Sequence, residues 1–156
     1  MKNNILAPIL IVLVVTISCT NEMSNDKILT SNDKEILNSS EYQNLMVAFD
    51  TMNTINIEII ENSKDAIKIN IVTKKEVDGF FIGLLNPEKD AESIAYLEKI
   101  GILNPKKLLH KRKFLFNETI PTTLETLASK YPQFKEYSVE QYANLRETYK
   151  KENLAL

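Results

Sequence analysis

The stretch that decides the fold is residues 40–52, SEYQNLMVAFDTM, because its apolar side chains recur at the spacing of one helix face. They stand at positions i, i+3, i+4, i+7 and i+10, and they are Tyr42, Leu45, Met46, Phe49 and Met52. Ser40 and Gln43 have the form of a capping box, in which the two side chains satisfy free backbone N–H groups of the first turn. We therefore predict an amphipathic helix that begins near Ser40 and buries this face.

Helix start signals recur after this stretch at helix-length intervals. They are Asn86-Pro87, Asn104-Pro105, Thr122–Glu125 and Ser138–Gln141. Each one places a capping side chain before a proline at the first helical position, or before Glu or Gln three residues later. The sequence therefore predicts an all-α fold, a small bundle of five or six short helices that forms one domain over residues 39–156.

A short motif, G-[LI]-L-N-P-x-K, occurs twice, once from Gly83 and once from Gly101. Glycine readily adopts the left-handed conformation that ends a helix, and Asn-Pro is suited to begin the next one. We therefore expect two similar corners between consecutive helices.

Residues 54–73 allow a second interpretation. Residues 54–60 and 67–73 alternate apolar with polar side chains and are rich in isoleucine, which is typical of β-strands joined by a turn. Against a hairpin, Ile59 and Ile60 continue the helical pattern from Tyr42, Ser63 can cap a new helix, and the turn lacks glycine. The helical interpretation is preferred, and the alternative is an α+β fold with a hairpin at about 54–73.

The N-terminal region has the composition of an export signal. Lys2 precedes a run of 13 uncharged residues, Ile5–Ile17, which is shorter than the roughly 20 that a membrane-spanning helix needs. We predict a signal peptide over residues 1–18. Residues 19–38 are rich in Asn, Ser, Thr and Asp, which predicts a flexible tether that ends in a turn of helix at Lys34–Leu37.

The end of this signal, Thr16-Ile17-Ser18-Cys19, resembles the lipobox of bacterial lipoproteins. The resemblance implies cleavage before Cys19, which is the only cysteine, and lipid on its sulfur. Two or three acyl chains hold a protein firmly on a membrane. A position in the bacterial cell envelope follows, and Thr20 after the cysteine resembles the signal for the outer membrane.

The rest of the chain has a nearly balanced charge. The 138 residues after Ser18 carry 18 Lys and Arg against 21 Asp and Glu, which argues against nucleic acid as a partner. One histidine and one cysteine form no metal-binding motif, and three glycines form no phosphate-binding loop. We therefore predict a protein that is not an enzyme and that holds no metal and no cofactor.

Two stretches are candidate binding surfaces. Residues 106–113, KKLLHKRK, hold six basic or potentially basic side chains, and these form a possible anion-binding patch of Lys106, Lys107, His110, Lys111, Arg112 and Lys113. The alternative is a solvated helix face. In the most apolar stretch after the signal, residues 79–85, Phe80 and Phe81 are candidate apolar contacts, although such runs more often form core.

These observations together favour a membrane-anchored lipoprotein that acts as a non-enzymatic binding or scaffold module for another envelope component. The expected partner is an envelope protein, a glycan or a lipid. An alternative function is a carrier of lipid or of a small apolar ligand, with a pocket around Phe80, Phe81, Phe114 and Phe116.

Overall fold

The computed structural model describes residues 29–84 and 86–154, and within these ranges it contains helices and turns but no strand. The predicted all-α fold is therefore confirmed. The predicted signal peptide, the lipobox and the first part of the tether lie outside the described residues. None of the helices in the described ranges is long and apolar enough to cross a membrane.

Seven α-helices follow one another in the described ranges. They are α1 (Ser31–Leu37), α2 (Ser40–Lys68), α3 (Lys74–Gly83), α4 (Asp90–Lys99), α5 (Pro105–Phe114), α6 (Ile120–Lys130) and α7 (Val139–Leu154). Short 3-10 helices at Pro87–Lys89 and Pro132–Glu136 precede α4 and α7, and a π-helical segment, Leu115–Thr119, connects α5 to α6. The last four of these α-helices have 10 to 16 residues, as the prediction of short helices requires.

Helix α2 is the exception, since its 29 residues run through most of the stretch that allowed a hairpin. The hairpin alternative is wrong, and burial gives the reason. Ile55, Ile59 and Ala66 are buried, whereas Ile57 and Ile60 are exposed, so the isoleucines belong to two faces of one helix. The buried and the exposed isoleucines of this helix interleave along the sequence, and this produces an alternation that is typical of a β-strand.

The end of α2 uses a residue that the sequence did not single out. Asn70 has φ of 57°, the left-handed conformation that asparagine tolerates better than most residues, and the chain turns there. Gly101 has φ of 89° and ends α4 as expected. Gly83 is helical and buried, so the expectation of a second left-handed glycine was wrong.

Several capping predictions also need correction. Asn104 precedes α5 as predicted, but its side chain makes no capping hydrogen bond. Helix α2 is capped by Ser39, whose Oγ accepts a hydrogen bond from the N–H of Tyr42 at 3.2 Å, one residue before the predicted Ser40. Thr122 is not an N-cap, since α6 already begins at Ile120. The capping box at Ser138 and Gln141 is present in both directions, with distances of 3.2 and 2.8 Å.

Ordered structure begins earlier than the predicted boundary at residue 39. Thr30 and Asp33 form a capping box at the start of α1, and Ile36 and Leu37 are buried. The turn predicted at the end of the tether is therefore part of a packed helix, because two apolar side chains anchor it.

The chain divides into two compact units. Unit 1 consists of the described residues up to Val47 and those from Ile120 onward. Its polar ties include Lys130 with Glu41 at 3.0 Å and the Tyr137 hydroxyl, which donates to Asp33 at 2.5 Å. The Tyr142 hydroxyl donates to the carbonyl of Phe134 within an aromatic cluster. Unit 2 consists of residues 48–119 and contains the cleft described below.

The helical assignment of residues 54–68 predicts unequal roles for two isoleucines two positions apart. Ile59 is 0% exposed and Ile57 is 51% exposed. We expect Ile59→Ala to lower the free energy of unfolding by about 2–4 kcal/mol, because it leaves a cavity, and Ile57→Ala by less than about 1 kcal/mol. Urea denaturation followed by circular dichroism measures both. A β-strand would place the two side chains on one face, so equal losses would contradict the helix.

Candidate functional site

The candidate site is a cleft in unit 2 between α3 and α4, with a volume of about 240 Å³. Eight residues line it: Glu76, Gly79, Phe80, Gly83, Lys89, Glu92, Ser93 and Tyr96. Glu76 near the start of α3 bonds to Lys99 at the end of α4, whereas Gly83 at the end of α3 lies near Lys89 just before α4. The two helices are therefore antiparallel along the cleft.

The cleft exists because small residues face it from both helices. Gly79 and Gly83 stand four positions apart on α3, so they lie one above the other on its surface, and Ser93 faces them from α4. A Cβ atom at Gly79 would meet nothing within 4 Å, whereas one at Gly83 would lie 3.2 Å from Cδ of Lys89. Gly79 is thus the position that leaves the cleft open.

The floor of the cleft is an aromatic pair. The rings of Phe80 and Tyr96 stack with centroids 4.4 Å apart and an angle of 22° between their planes. The Tyr96 hydroxyl lies 2.8 Å from Oγ of Ser63, a buried side chain on α2 that also donates to the carbonyl of Ile59. Ser63 is therefore a mid-helix anchor for Tyr96, and the prediction that it caps a helix was wrong. Burial raises the pKa of Tyr96, so its hydroxyl stays protonated and can donate.

A carboxylate network closes one end of the cleft. Oε1 of Glu76 accepts from Nζ of Lys99 at 2.6 Å, and Oε2 accepts from the N–H and the hydroxyl of Thr73 at 2.7 and 2.9 Å. Lys99 and then Thr73 hold the pKa of Glu76 down to about 2. At the other end, Nζ of Lys89 lies 3.6 Å from a carboxylate oxygen of Glu92. At each end of the cleft, an acidic side chain pairs with a basic one. The middle of the cleft is therefore apolar.

This arrangement suits the binding of an apolar group. The aromatic floor is fixed by stacking and by the bond to Ser63, and the glycine wall allows close approach of a partner. Within residues 29–84 and 86–154, no group of three His, Cys, Asp or Glu side chains could hold a metal ion.

The structure divides the basic patch of α5 into two sets. Lys106, Lys107, His110 and Lys111 are exposed. Arg112 and Lys113 are instead half-buried and bonded within unit 2, since Nε of Arg112 donates to Oδ1 of Asn56 at 2.9 Å and Lys113 pairs with Asp90. Burial lowers the pKa of Arg112. The six side chains thus do not form one surface, although four of them share the exposed side of α5.

The two candidate apolar contacts, Phe80 and Phe81, differ in burial and in their relation to the cleft. Phe80 is buried and forms the floor of the cleft, whereas Phe81 is half-buried and packs edge-on against Phe80 with centroids 5.3 Å apart. Of the four phenylalanines expected around a carrier pocket, Phe80 lines this cleft, and Phe114 is about half exposed on α5.

Several residues of the cleft were missed at the level of sequence. Glu76, Ser93 and Tyr96 carry no motif, and their contacts with α2 and α4 arise from tertiary packing. A usable signal was the Gly79-x-x-x-Gly83 spacing, which places two residues without side chains on one helix face. This spacing is easily missed, because Gly83 also belongs to the motif that predicts a corner between two helices.

No known protein family matches the sequence, and no curated protein sequence or solved structure matches it either.

The network at Glu76 predicts a specific acid sensitivity. The pKa of Glu76 falls from 4.5 to about 2 on folding, so its stabilisation is complete above pH of about 4.5 and is lost as the pH falls through about 2. We expect Glu76→Gln to lower Tm at pH 6 and to have a much smaller effect at pH 1.5, where most of Glu76 is protonated, as measured by circular dichroism. Glu98→Gln is the control, because Glu98 is exposed on the same helix as Lys99 and has no ion-pair partner among the described residues. An equal Tm difference for Glu76→Gln at both pH values would argue against the network.

Proposed function

We propose that this chain is a lipid-anchored binding module of the bacterial cell envelope, held at the outer membrane through Cys19, and that the cleft of unit 2 receives an apolar side chain of an envelope protein. The observation that carries the proposal is the open cleft at Gly79 over the floor of Phe80 and Tyr96. The signal sequence and the lipobox resemblance support the location.

The size of the cleft favours a side chain over a whole lipid. Pockets for drug-sized ligands have volumes of about 300–1,000 Å³ and enclose most of the ligand. The cleft measures about 240 Å³ and is open to solvent on one side, which suits a group the size of a leucine or phenylalanine side chain. The binding module is therefore favoured over the lipid carrier.

The apolar surface of α3 outside the cleft supports a protein as the partner. Ile82, on the turn of α3 that follows Gly79, is 80% exposed, although its side chain is large and apolar. Phe81 next to it is half-buried. Exposed apolar side chains on the same helix as a pocket are typical of protein interfaces, in which a central anchor enters the pocket and its neighbours exclude water.

The lipid anchor is tested by metabolic labelling with a palmitate analogue. We expect the wild-type chain to incorporate the label and Cys19→Ala to lose it, because the cysteine sulfur is the site of acylation. Label that persists in Cys19→Ala, or is missing from the wild type, would overturn the anchor without affecting the cleft.

The cleft is tested by a substitution that fills it. Gly79→Leu places a side chain in open space, and leucine is better than glycine in a helix interior by about 0.8 kcal/mol, so Tm should stay the same or rise. A photo-crosslinker at Ile82 should then yield at least tenfold less of the crosslinked partner in cells. Lys75→Leu is the matched control, since Lys75 is exposed on the same helix and does not line the cleft. Equal crosslinking in both variants would exclude the cleft as the binding site.

A further inference from the structure

Arg146 on α7 is a buried cation whose Nε atom has no hydrogen-bond partner in the described ranges. The side chain is 8% exposed, and its Nε makes no hydrogen bond within the part of the chain that the structure describes. A buried guanidinium normally lies against a carboxylate or accepting oxygens, because an uncompensated charge is strongly unfavourable away from water. Its burial without such a group therefore needs an explanation.

Among the described residues, no carboxylate forms an ion pair with Arg146, and the nearby Tyr42 supplies a ring and a hydroxyl. Tyr42 is buried, and its ring packs edge-on against Tyr149 with centroids 5.8 Å apart. Burial raises the pKa of Tyr42, while the positive charge of Arg146 acts in the opposite direction, so the two groups lie close together. The next acid along α7, Glu147, faces Lys151 at 3.5 Å.

The other arginine of the chain provides an internal comparison. The sequence contains two arginines, and Nε of Arg112 has a partner in Oδ1 of Asn56 at 2.9 Å. Within residues 29–84 and 86–154, the fold therefore provides a hydrogen-bond acceptor for Nε of the half-buried Arg112 and none for Nε of the buried Arg146. The difference points to a partner that comes from outside the described residues.

We propose that Arg146, next to Tyr42, binds an oxyanion group, either a carboxylate or a phosphate. The planar guanidinium matches the two oxygens of either group, and the protonated Tyr42 hydroxyl is a further donor. All of these side chains belong to unit 1, so this site is independent of the cleft in unit 2.

The two arginines make the experiment self-controlled. In nitrogen-15 correlation spectra of the full-length chain in detergent, each arginine gives one Nε–H resonance, assigned by its loss in Arg112→Lys or Arg146→Lys. We expect sodium acetate or inorganic phosphate, added at constant ionic strength against sodium chloride, to shift the Arg146 resonance until it saturates. The Arg112 resonance should not move. Saturation at a lower concentration of acetate identifies a carboxylate site, and saturation at a lower concentration of phosphate identifies a phosphate site.

A second variant tests the role of the hydroxyl. Tyr42→Phe keeps the ring and removes one donor, so the dissociation constant should rise by about three- to tenfold, which is the range for one hydrogen bond. An Arg146 resonance that moves no more than that of Arg112, or that responds equally to chloride, would overturn the proposal. This readout uses the wild-type fold, so it decides the question even if the Arg146 variant unfolds.

Discussion

Unit 2 depends on one buried polar contact, the hydroxyl pair of Ser63 and Tyr96. In apolar surroundings, an unpaired hydroxyl is costly, so these two groups are held together at 2.8 Å. The contact fixes α4 against α2 and sets the position of the Tyr96 ring. Phe80 then stacks on that ring, which places α3 and leaves the cleft above the stacked pair. The hydrogen bond between these two hydroxyl groups therefore determines the geometry of the candidate site.

Much of the fold could be predicted from the sequence, because its signals are local. The spacing from Tyr42 to Met52, the box at Ser138 and the left-handed Gly101 depend on neighbours within one or two turns. The sequence did not determine how far α2 extends beyond Met52. Isoleucines on two faces of one helix give the same alternation in sequence as a β-strand. Only the burial of each side chain in the folded structure distinguishes the helix from the strand.

The candidate site was harder to predict, because its parts are distant in sequence. Ser63 and Tyr96 are 33 residues apart, and nothing in either local sequence indicates the contact. The basic stretch shows the reverse problem, since a continuous run of cations divides once Arg112 and Lys113 find partners in unit 2. Charge counts along a sequence describe composition, whereas a binding surface depends on which cations remain exposed.

The isoleucine-rich part of α2 and the residues after it have a consequence for the unfolded chain. Residues 54–60 and 67–73 keep their high β-strand propensity when the core that holds Ile55 and Ile59 is lost. Local preference and native structure therefore disagree over this region, which is the condition under which partly unfolded chains pair edge to edge. Three charged residues, Glu61, Lys64 and Asp65, lie between the two segments, and charges in such positions oppose this pairing. While α2 is helical, the backbone groups of residues 54–60 bond within the helix and cannot take part in such pairing.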